Sequence, residues 1–170
     1  LPALLAGGGV DTAIDPVALH HYLTFHSVVP APRTILRGVE KLPPATVLVG
    51  IHTGGAWIAA VLHAALGLAT PLASIDVSFH RDDHHLGNGL KAAGRVSHLP
   101  DDVEGAHLIL VDDVLYTGRT TRAAINELFD FGRPASVTLV VLVDRGGREL
   151  PIQPAFSAAR VTLPRTQRLS

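Results

Sequence analysis

Short apolar runs alternate with segments of helical spacing along most of the chain. Three runs rich in Val, Leu and Ile are long enough for buried strands and lie at residues 47–51, 108–111 and 137–143. Residues 71–79 are predicted as a further strand, and residues 152–163 as one or two weaker strands. Strands that alternate with helices of about 12 residues predict an α/β fold, in which helices cover both faces of a mostly parallel sheet.

Two segments between these runs have the apolar spacing of amphipathic helices. The predicted apolar positions of the first helix are Trp57, Ile58, Val61, Leu62 and Leu66. Gly67 is expected to end this helix as a C-terminal cap. The predicted buried face of the second helix consists of Ala123, Ala124, Leu128 and Phe131. The sequence Gly132-Arg133-Pro134 is expected to end it, and residues 80–99, which show no clear period, are predicted to form a long mobile loop.

Composition narrows the class of protein. The chain has 170 residues, of which 47 % are hydrophobic and 17 % charged, and a chain of this length is most simply one domain. The absence of cysteine excludes disulfides, thiolate zinc sites, iron–sulfur clusters and a cysteine nucleophile. No apolar run approaches the 18 or so residues of a membrane span, and a net charge of −1 argues against a wholly basic nucleic-acid-binding surface. We therefore expect a soluble cytoplasmic enzyme. Because the chain starts with leucine and contains no methionine, we also expect it to be part of a longer protein.

The strongest functional signal lies at the end of the strand predicted over 108–111. Two carboxylates, Asp112 and Asp113, follow this strand, and a turn with Thr117 and Gly118 leads into the next helix. In open α/β sheets ligands bind beyond the carboxyl ends of the strands, and the unpaired N–H groups of a helix amino end attract phosphate. Adjacent carboxylates repel phosphate but can accept hydrogen bonds from vicinal hydroxyls. The pattern therefore predicts a site for a ribose 5-phosphate; the alternative is that the two aspartates only cap the next helix.

The whole segment 108–120 resembles the diphosphoribosyl-binding motif of type I phosphoribosyltransferases. Together with Gly132-Arg133-Pro134 and residues 143–152, it is more closely similar to the PyrR family of bifunctional pyrimidine-operon regulators and uracil phosphoribosyltransferases. The resemblance extends from about residue 47 to the end of the chain. It implies the type I phosphoribosyltransferase fold, with a flexible loop or hood over the site, and the conversion of uracil and 5-phosphoribosyl diphosphate to UMP and diphosphate.

The resemblance also implies roles for individual residues. The residues expected to be catalytic are Asp112, Asp113 and Arg81. The residues expected to bind the 5-phosphate and ribose are Val114, Leu115, Tyr116, Thr117, Gly118, Arg119 and Thr120. A diphosphate loop is expected at His52, Thr53, Gly54 and Gly55, and a base-binding strand end at Val143, Asp144 and Arg145.

Each of these assignments has an alternative. The glycine turn could be a plain connection between strand and helix, and Arg81 a solvated loop arginine. Asp144 could be a strand-end cap, and Arg148 with Glu149 an ordinary surface pair.

The resemblance implies Mg²⁺ as the cofactor, held through substrate and water rather than by a protein cage. The ten histidines form no HExxH arrangement, and no cysteine completes a zinc set. The implied partners are phosphoribosyl diphosphate and uracil, a second copy of the chain in a dimer or tetramer, and a pyrimidine-operon leader RNA; no membrane is expected. The alternative function is an RNA-binding transcription attenuator, which would use the pocket for uridine nucleotides without significant catalysis.

Residues 1–46 form an atypical N-terminal segment, which we separate from a phosphoribosyltransferase domain over residues 47–170. A helix is predicted over 15–24, with Asp15 as its N-cap and Pro16 at the first helical position. Three stretches resemble a linker between the glutaminase and synthetase domains of asparagine synthetases: residues 21–25, 29–35 and 38–44. The chain therefore looks like a junction of two families.

Overall fold

The computed structural model describes residues 42–43, 45–77, 97–100 and 103–164. Within these ranges it has five strands and two helices: β1 (Thr46–Ile51), α1 (Gly54–Leu66), β2 (Ala73–Ile75), β3 (His107–Leu115), α2 (Arg119–Asp130), β4 (Ser136–Asp144) and β5 (Phe156–Arg160). The helix predicted over 15–24, the candidate residue Arg81 and most of the predicted loop lie outside the described residues.

The five strands form one sheet in the order β2-β1-β3-β4-β5, and all neighbouring pairs are parallel. The parallel α/β sheet predicted from the alternation of strands and helices is thereby confirmed. β3 lies at the centre, paired to β1 from His107 to Val111 and to β4 from His107 to Leu115. Because every strand runs the same way, all five carboxyl ends lie along one edge of the sheet.

Side chains alternate between the two faces of the sheet, and each face packs against one helix. Leu108 and Leu110 of β3 lie in one buried cluster with Ala124 and Leu128 of α2. The intervening residues of β3, together with parts of β1 and β4, form a second cluster with Ala59 and Leu62 of α1. The near-continuous apolar runs of the strands follow from this, because a sheet covered on both faces has no solvent-facing side.

Helix ends match the sequence pattern in one case and differ in another. Gly67 caps α1 with φ 60° and donates its N–H to the His63 carbonyl at 3.1 Å, as predicted. α2 ends at Asp130, so the expected burial of Phe131 is wrong: this side chain is 39 % exposed. Phe131 follows the last helical residue and therefore leaves the face that Ala124 and Leu128 bury.

Two strand boundaries differ from the prediction. β2 spans only Ala73–Ile75, because it pairs with the last three residues of β1 and β1 ends at Ile51. β3 does not stop at residue 111 but continues through both aspartates to Leu115, since β4 runs beside it as far as Asp144. A residue can pair with β4 through its backbone whether its side chain is polar or apolar, so the two aspartates do not end the strand.

None of the helices in the described ranges is long and apolar enough to cross a lipid bilayer.

Candidate functional site

Three connections meet at the carboxyl edge of the central strands. Residues 52–53 follow β1, residues 116–118 follow β3, and residues 145–152 follow β4. Since β3 lies between β1 and β4, the β3–α2 turn has the other two connections as its neighbours. This edge is where open parallel sheets bind ligands, because helix amino ends and backbone groups released from the sheet converge there.

The β1–α1 turn is packed closely against the end of β3. A Cβ atom on Gly55 would overlap the Val111 carbonyl oxygen, and one on Gly54 would overlap the Asp113 carboxylate. The His52 N–H donates to the Ile75 carbonyl at 2.9 Å, and its Nε2 lies 3.1 Å from Ser74 Oγ. The His52–Thr53 peptide is cis. The four residues predicted as a diphosphate loop therefore form a backbone-lined turn directly beside Asp113.

The two aspartates of β3 have different environments. Asp112 is buried, at 6 % exposure, whereas Asp113 is exposed. Consecutive strand residues point to opposite faces, and the overlap with Gly54 places the Asp113 carboxylate on the side of α1. Asp112 Oδ1 accepts the N–H of Asp113 at 2.9 Å. The acids therefore do not form one matched pair, and Asp113 is the one that a ligand can reach.

The β3–α2 turn opens onto a helix amino end with no acidic side chain in its first turn. Gly118, the N-cap, has φ 92° and provides no side-chain cap. The Arg119 N–H donates to Thr117 Oγ1 at 3.3 Å. A helix amino end carries partial positive charge and unpaired N–H groups. The turn thus has the chemistry of an anion site at the position predicted for the 5-phosphate.

The end of β4 is fixed by a charged pair. The Asp144 carboxylate accepts hydrogen bonds from the Gly146 N–H at 3.0 Å and from Arg148 Nη2 at 2.6 Å. Burial by itself would raise the pKa of Asp144, but these two hydrogen bonds and the positive charges of Arg148 and Arg160 lower it below its ordinary value. Asp144 is therefore a strand-end cap, one of the two roles that the sequence allowed; its contact with a base stays a prediction.

Arg148 and Glu149 do not pair with each other, so the surface pair that the sequence left open as an alternative is not formed. Arg148 pairs with Asp144, and Glu149 pairs with Arg119 through a 3.0 Å contact between Oε2 and Nε. The two neighbouring side chains therefore reach two different elements, Arg148 the end of β4 and Glu149 the first residue of α2.

Arg145 lies against the aromatic ring of the β3–α2 turn. It is buried at 6 % exposure, and its guanidinium carbon lies 3.7 Å from the centre of the Tyr116 ring. Its Nη2 donates to the Pro164 carbonyl at 3.3 Å. Sequence reasoning assigned Tyr116 and Arg145 to different subsites, and the stack between them could be found only in three dimensions.

The comparisons with known proteins agree with this geometry. The family model of the phosphoribosyl transferase domain matches residues 42–159. The "Bifunctional protein PyrR" of Pseudomonas paraeruginosa is 55 % identical over 133 residues, which cover 78 % of this chain and 75 % of that protein. The protein of the same name from Pseudomonas fluorescens is 55 % identical over 121 residues, or 71 % of each chain. The chain belongs to the PyrR family.

The fold of this PyrR-family chain is shared with solved structures. A purine phosphoribosyltransferase from Pyrococcus horikoshii superposes with a TM-score of 0.55 at 25 % identity, covering 76 % of this chain and 81 % of that one. The predicted type I phosphoribosyltransferase fold is confirmed, and so is the assignment of the chain to the phosphoribosyltransferases.

The described part of this PyrR-family site offers few groups that could hold a metal ion. Across the part of the chain that the structure describes, no three His, Asp or Glu side chains come together as a metal cage. Mg²⁺ commonly keeps several waters and takes one or two carboxylates plus substrate phosphates. The exposed Asp113 carboxylate is a hard oxygen donor of the kind that fits such an arrangement.

Proposed function

We propose that this PyrR-family protein transfers the phosphoribosyl group of 5-phosphoribosyl diphosphate to uracil, forming UMP and diphosphate. One observation carries the proposal. The exposed Asp113 carboxylate lies against the backbone-lined β1–α1 turn, five residues before Gly118, the N-cap of α2. The Asp113 carboxylate, which can accept hydrogen bonds from ribose hydroxyls, then lies between two turns whose backbone N–H groups we propose as phosphate sites.

Each part of the substrate has a complementary group. The amino end of α2 binds the 5-phosphate through N–H groups and partial charge. Asp113 accepts a hydrogen bond from a ribose hydroxyl, and the turn at Thr53 and Gly54 receives the diphosphate. The end of β4, from Val143 to Arg145, binds the base beside the Tyr116 ring. Arg81, outside the described residues, is our candidate for a further charge on the diphosphate.

In the reaction, the bond from C1′ of the ribose to the diphosphate oxygen breaks, and its electron pair leaves with the diphosphate. N1 of uracil forms the new bond to C1′ and gives up its proton. The protein contributes mainly orientation of the two reactants and stabilisation of the departing negative charge. Mg²⁺, when bound, would neutralise further negative charge, and the exposed Asp113 carboxylate would be the protein group available to hold it.

The direct test is formation of UMP from uracil and phosphoribosyl diphosphate with Mg²⁺, followed by chromatography. Thermal unfolding provides an independent reading, since a ligand at a hundred times its dissociation constant stabilises the folded state by about 2.7 kcal/mol. Stabilisation by phosphoribosyl diphosphate together with UMP formation supports the proposal. No UMP despite stabilisation reduces the protein to a sensor of the ligand, and no stabilisation at all overturns the proposal.

A second function is favoured by the name of the relatives, which describes them as bifunctional. We propose that the chain also binds a pyrimidine-operon leader RNA in response to uridine nucleotides, as a homo-oligomer in the cytoplasm. Filter binding of that RNA at two salt concentrations tests this, because contacts to phosphates make affinity fall steeply as salt rises. Absence of binding at both concentrations removes the second function and leaves the first untouched.

A further inference from the structure

The connection after β4 holds three consecutive carbonyl groups of the β3–α2 turn. The Leu115 carbonyl accepts the Arg145 N–H at 2.9 Å, and the Thr117 carbonyl accepts the N–H groups of Glu149 and Leu150 at 3.0 and 3.1 Å. Between them, the Tyr116 carbonyl accepts Arg148 Nη1 at 2.8 Å. The first and third of these carbonyls accept backbone N–H groups, and the middle one accepts the side chain of Arg148.

The guanidinium of Arg148 is occupied almost entirely by the protein itself. Nε donates to the Ile152 carbonyl at 2.9 Å, and Nη1 makes a second contact of 3.3 Å with the Leu115 carbonyl. Nη2 donates to Asp144 at 2.6 Å, and the side chain is only 15 % exposed. Four of the five N–H bonds that an arginine carries have protein acceptors. Arg148 therefore fixes the backbone around it rather than binding a ligand anion.

Fixing these carbonyls fixes the direction of the N–H groups that follow them. The peptide bonds of this turn are trans, and in a planar trans peptide the C=O and the next N–H point in opposite directions. With the carbonyls of residues 115–117 held by the β4 connection, the N–H groups of Tyr116, Thr117 and Gly118 point away from it. These three N–H groups have no hydrogen-bond acceptor among the described residues.

The packing beside the turn supports the same conclusion. A Cβ atom on Gly147 would lie 2.6 Å from Tyr116 Cε2, and Gly147 has φ 73°. The Tyr116 ring is also covered by Arg145. The connection therefore lies directly on the turn, and little space remains for the turn to change its conformation while Arg148 is in place.

We infer that Arg148 is a positioning residue for the 5-phosphate of the substrate and product: it orients the backbone N–H groups of the β3–α2 turn without touching the ligand. The inference rests on the proposed function, because that function places the 5-phosphate at this turn. It assigns to Arg148 a specific effect on phosphate recognition. Because Arg148 also holds Asp144, at the strand end proposed for the base, some loss is expected for either kind of ligand, and the expected loss is larger for a ligand with the phosphate than for one without it.

The test compares the affinities of UMP and of uridine, which lacks the phosphate, by calorimetry on the full chain. Arg148→Gln is expected to weaken UMP binding about tenfold, because the N–H groups of the turn lose their fixed direction toward a charged phosphate, and to weaken uridine binding much less. The KM for phosphoribosyl diphosphate should rise in parallel with the dissociation constant of UMP. Arg133→Gln is the matched control, because Arg133 Nη1 also donates to a backbone carbonyl, that of Phe129 at 2.8 Å, far from this turn.

Arg148→Lys is a second variant, which keeps the test decisive if Arg148→Gln does not fold. Lysine keeps the charge but has no planar fork, so it cannot reach Asp144 and two carbonyls together, and an intermediate loss of UMP affinity is expected. A wild-type ratio of UMP to uridine affinity in folded Arg148→Gln or Arg148→Lys overturns the inference. If the unmodified chain binds neither UMP nor phosphoribosyl diphosphate, the proposed function fails first, and that result is distinguishable from failure of the inference alone.

Discussion

Asp113 and Gly54 lie so close that a Cβ atom on Gly54 would overlap the Asp113 carboxylate and lie 2.9 Å from Asp113 Cβ. The contact joins the end of the central strand to the first residue of α1. It also couples the two halves of the candidate site, since the carboxylate proposed for the ribose is in contact with the turn proposed for the diphosphate.

Gly54→Ala is predicted to reduce affinity for phosphoribosyl diphosphate much more than it reduces stability. The methyl group displaces the Asp113 side chain, which is exposed, so the core keeps its packing while the site loses its geometry. Titration of the ligand against the variant, with a thermal melt alongside, checks this.

Gly67→Ala is the matched control for that substitution. Gly67 has φ 60° and open space around it, so alanine there costs about 1 kcal/mol of stability through backbone strain. Its ligand affinity should stay at the wild-type value. Equal affinity losses in both variants would contradict the role given to the contact between Gly54 and Asp113.

Asp113→Asn is predicted to lower kcat/KM for UMP formation by about tenfold to a hundredfold, as for loss of one hydrogen bond to a charged group. The melting temperature should change little because the side chain is exposed. Asp112→Asn should affect stability more, since Asp112 is buried. A chain with Asn at 113 that keeps full activity and loses stability would show that Asp113 is structural.

The stability supplied by Asp144 should depend on pH in the acid range. Its pKa is lowered in the folded state, despite burial, by the Gly146 N–H and Arg148. A carboxyl group with a lowered pKa stabilises the folded state above its unfolded pKa of about 3.9, and this contribution is lost as pH falls through the folded pKa. Asp144→Asn should therefore be less stable than the unmodified chain at pH 7, and the difference in denaturant midpoints should shrink as the pH is lowered below about 4. A difference that is constant with pH would exclude the ion pair as its cause.

Leu128→Ala should destabilise the fold by about 2–5 kcal/mol, the usual cost of a large core truncation. Leu128 is fully buried between α2 and the sheet. Phe131→Ala is the comparison, because Phe131 was expected on the same face but is 39 % exposed. Its truncation should cost less than about 1 kcal/mol, which chemical denaturation of both variants measures.

The sequence by itself determined the sheet, its two covering helices and the edge at which the polar residues of the candidate site lie. Continuous apolar runs such as 137–143 have the length and β-branched composition of buried strands, and Gly67 ends α1 in a left-handed cap through local geometry. Such features depend on neighbours in the chain, so a single sequence contains them.

Only the tertiary structure decided which groups at that edge face one another. Identical neighbours in sequence, Asp112 and Asp113, differ in exposure because strand residues alternate between faces and β4 extends the pairing of β3 beyond them. The sequence left open a surface pair of Arg148 with Glu149, whereas Arg148 is held by Asp144 and by carbonyls more than thirty residues away. Such contacts depend on how separate segments pack, and no local pattern of residue types specifies them.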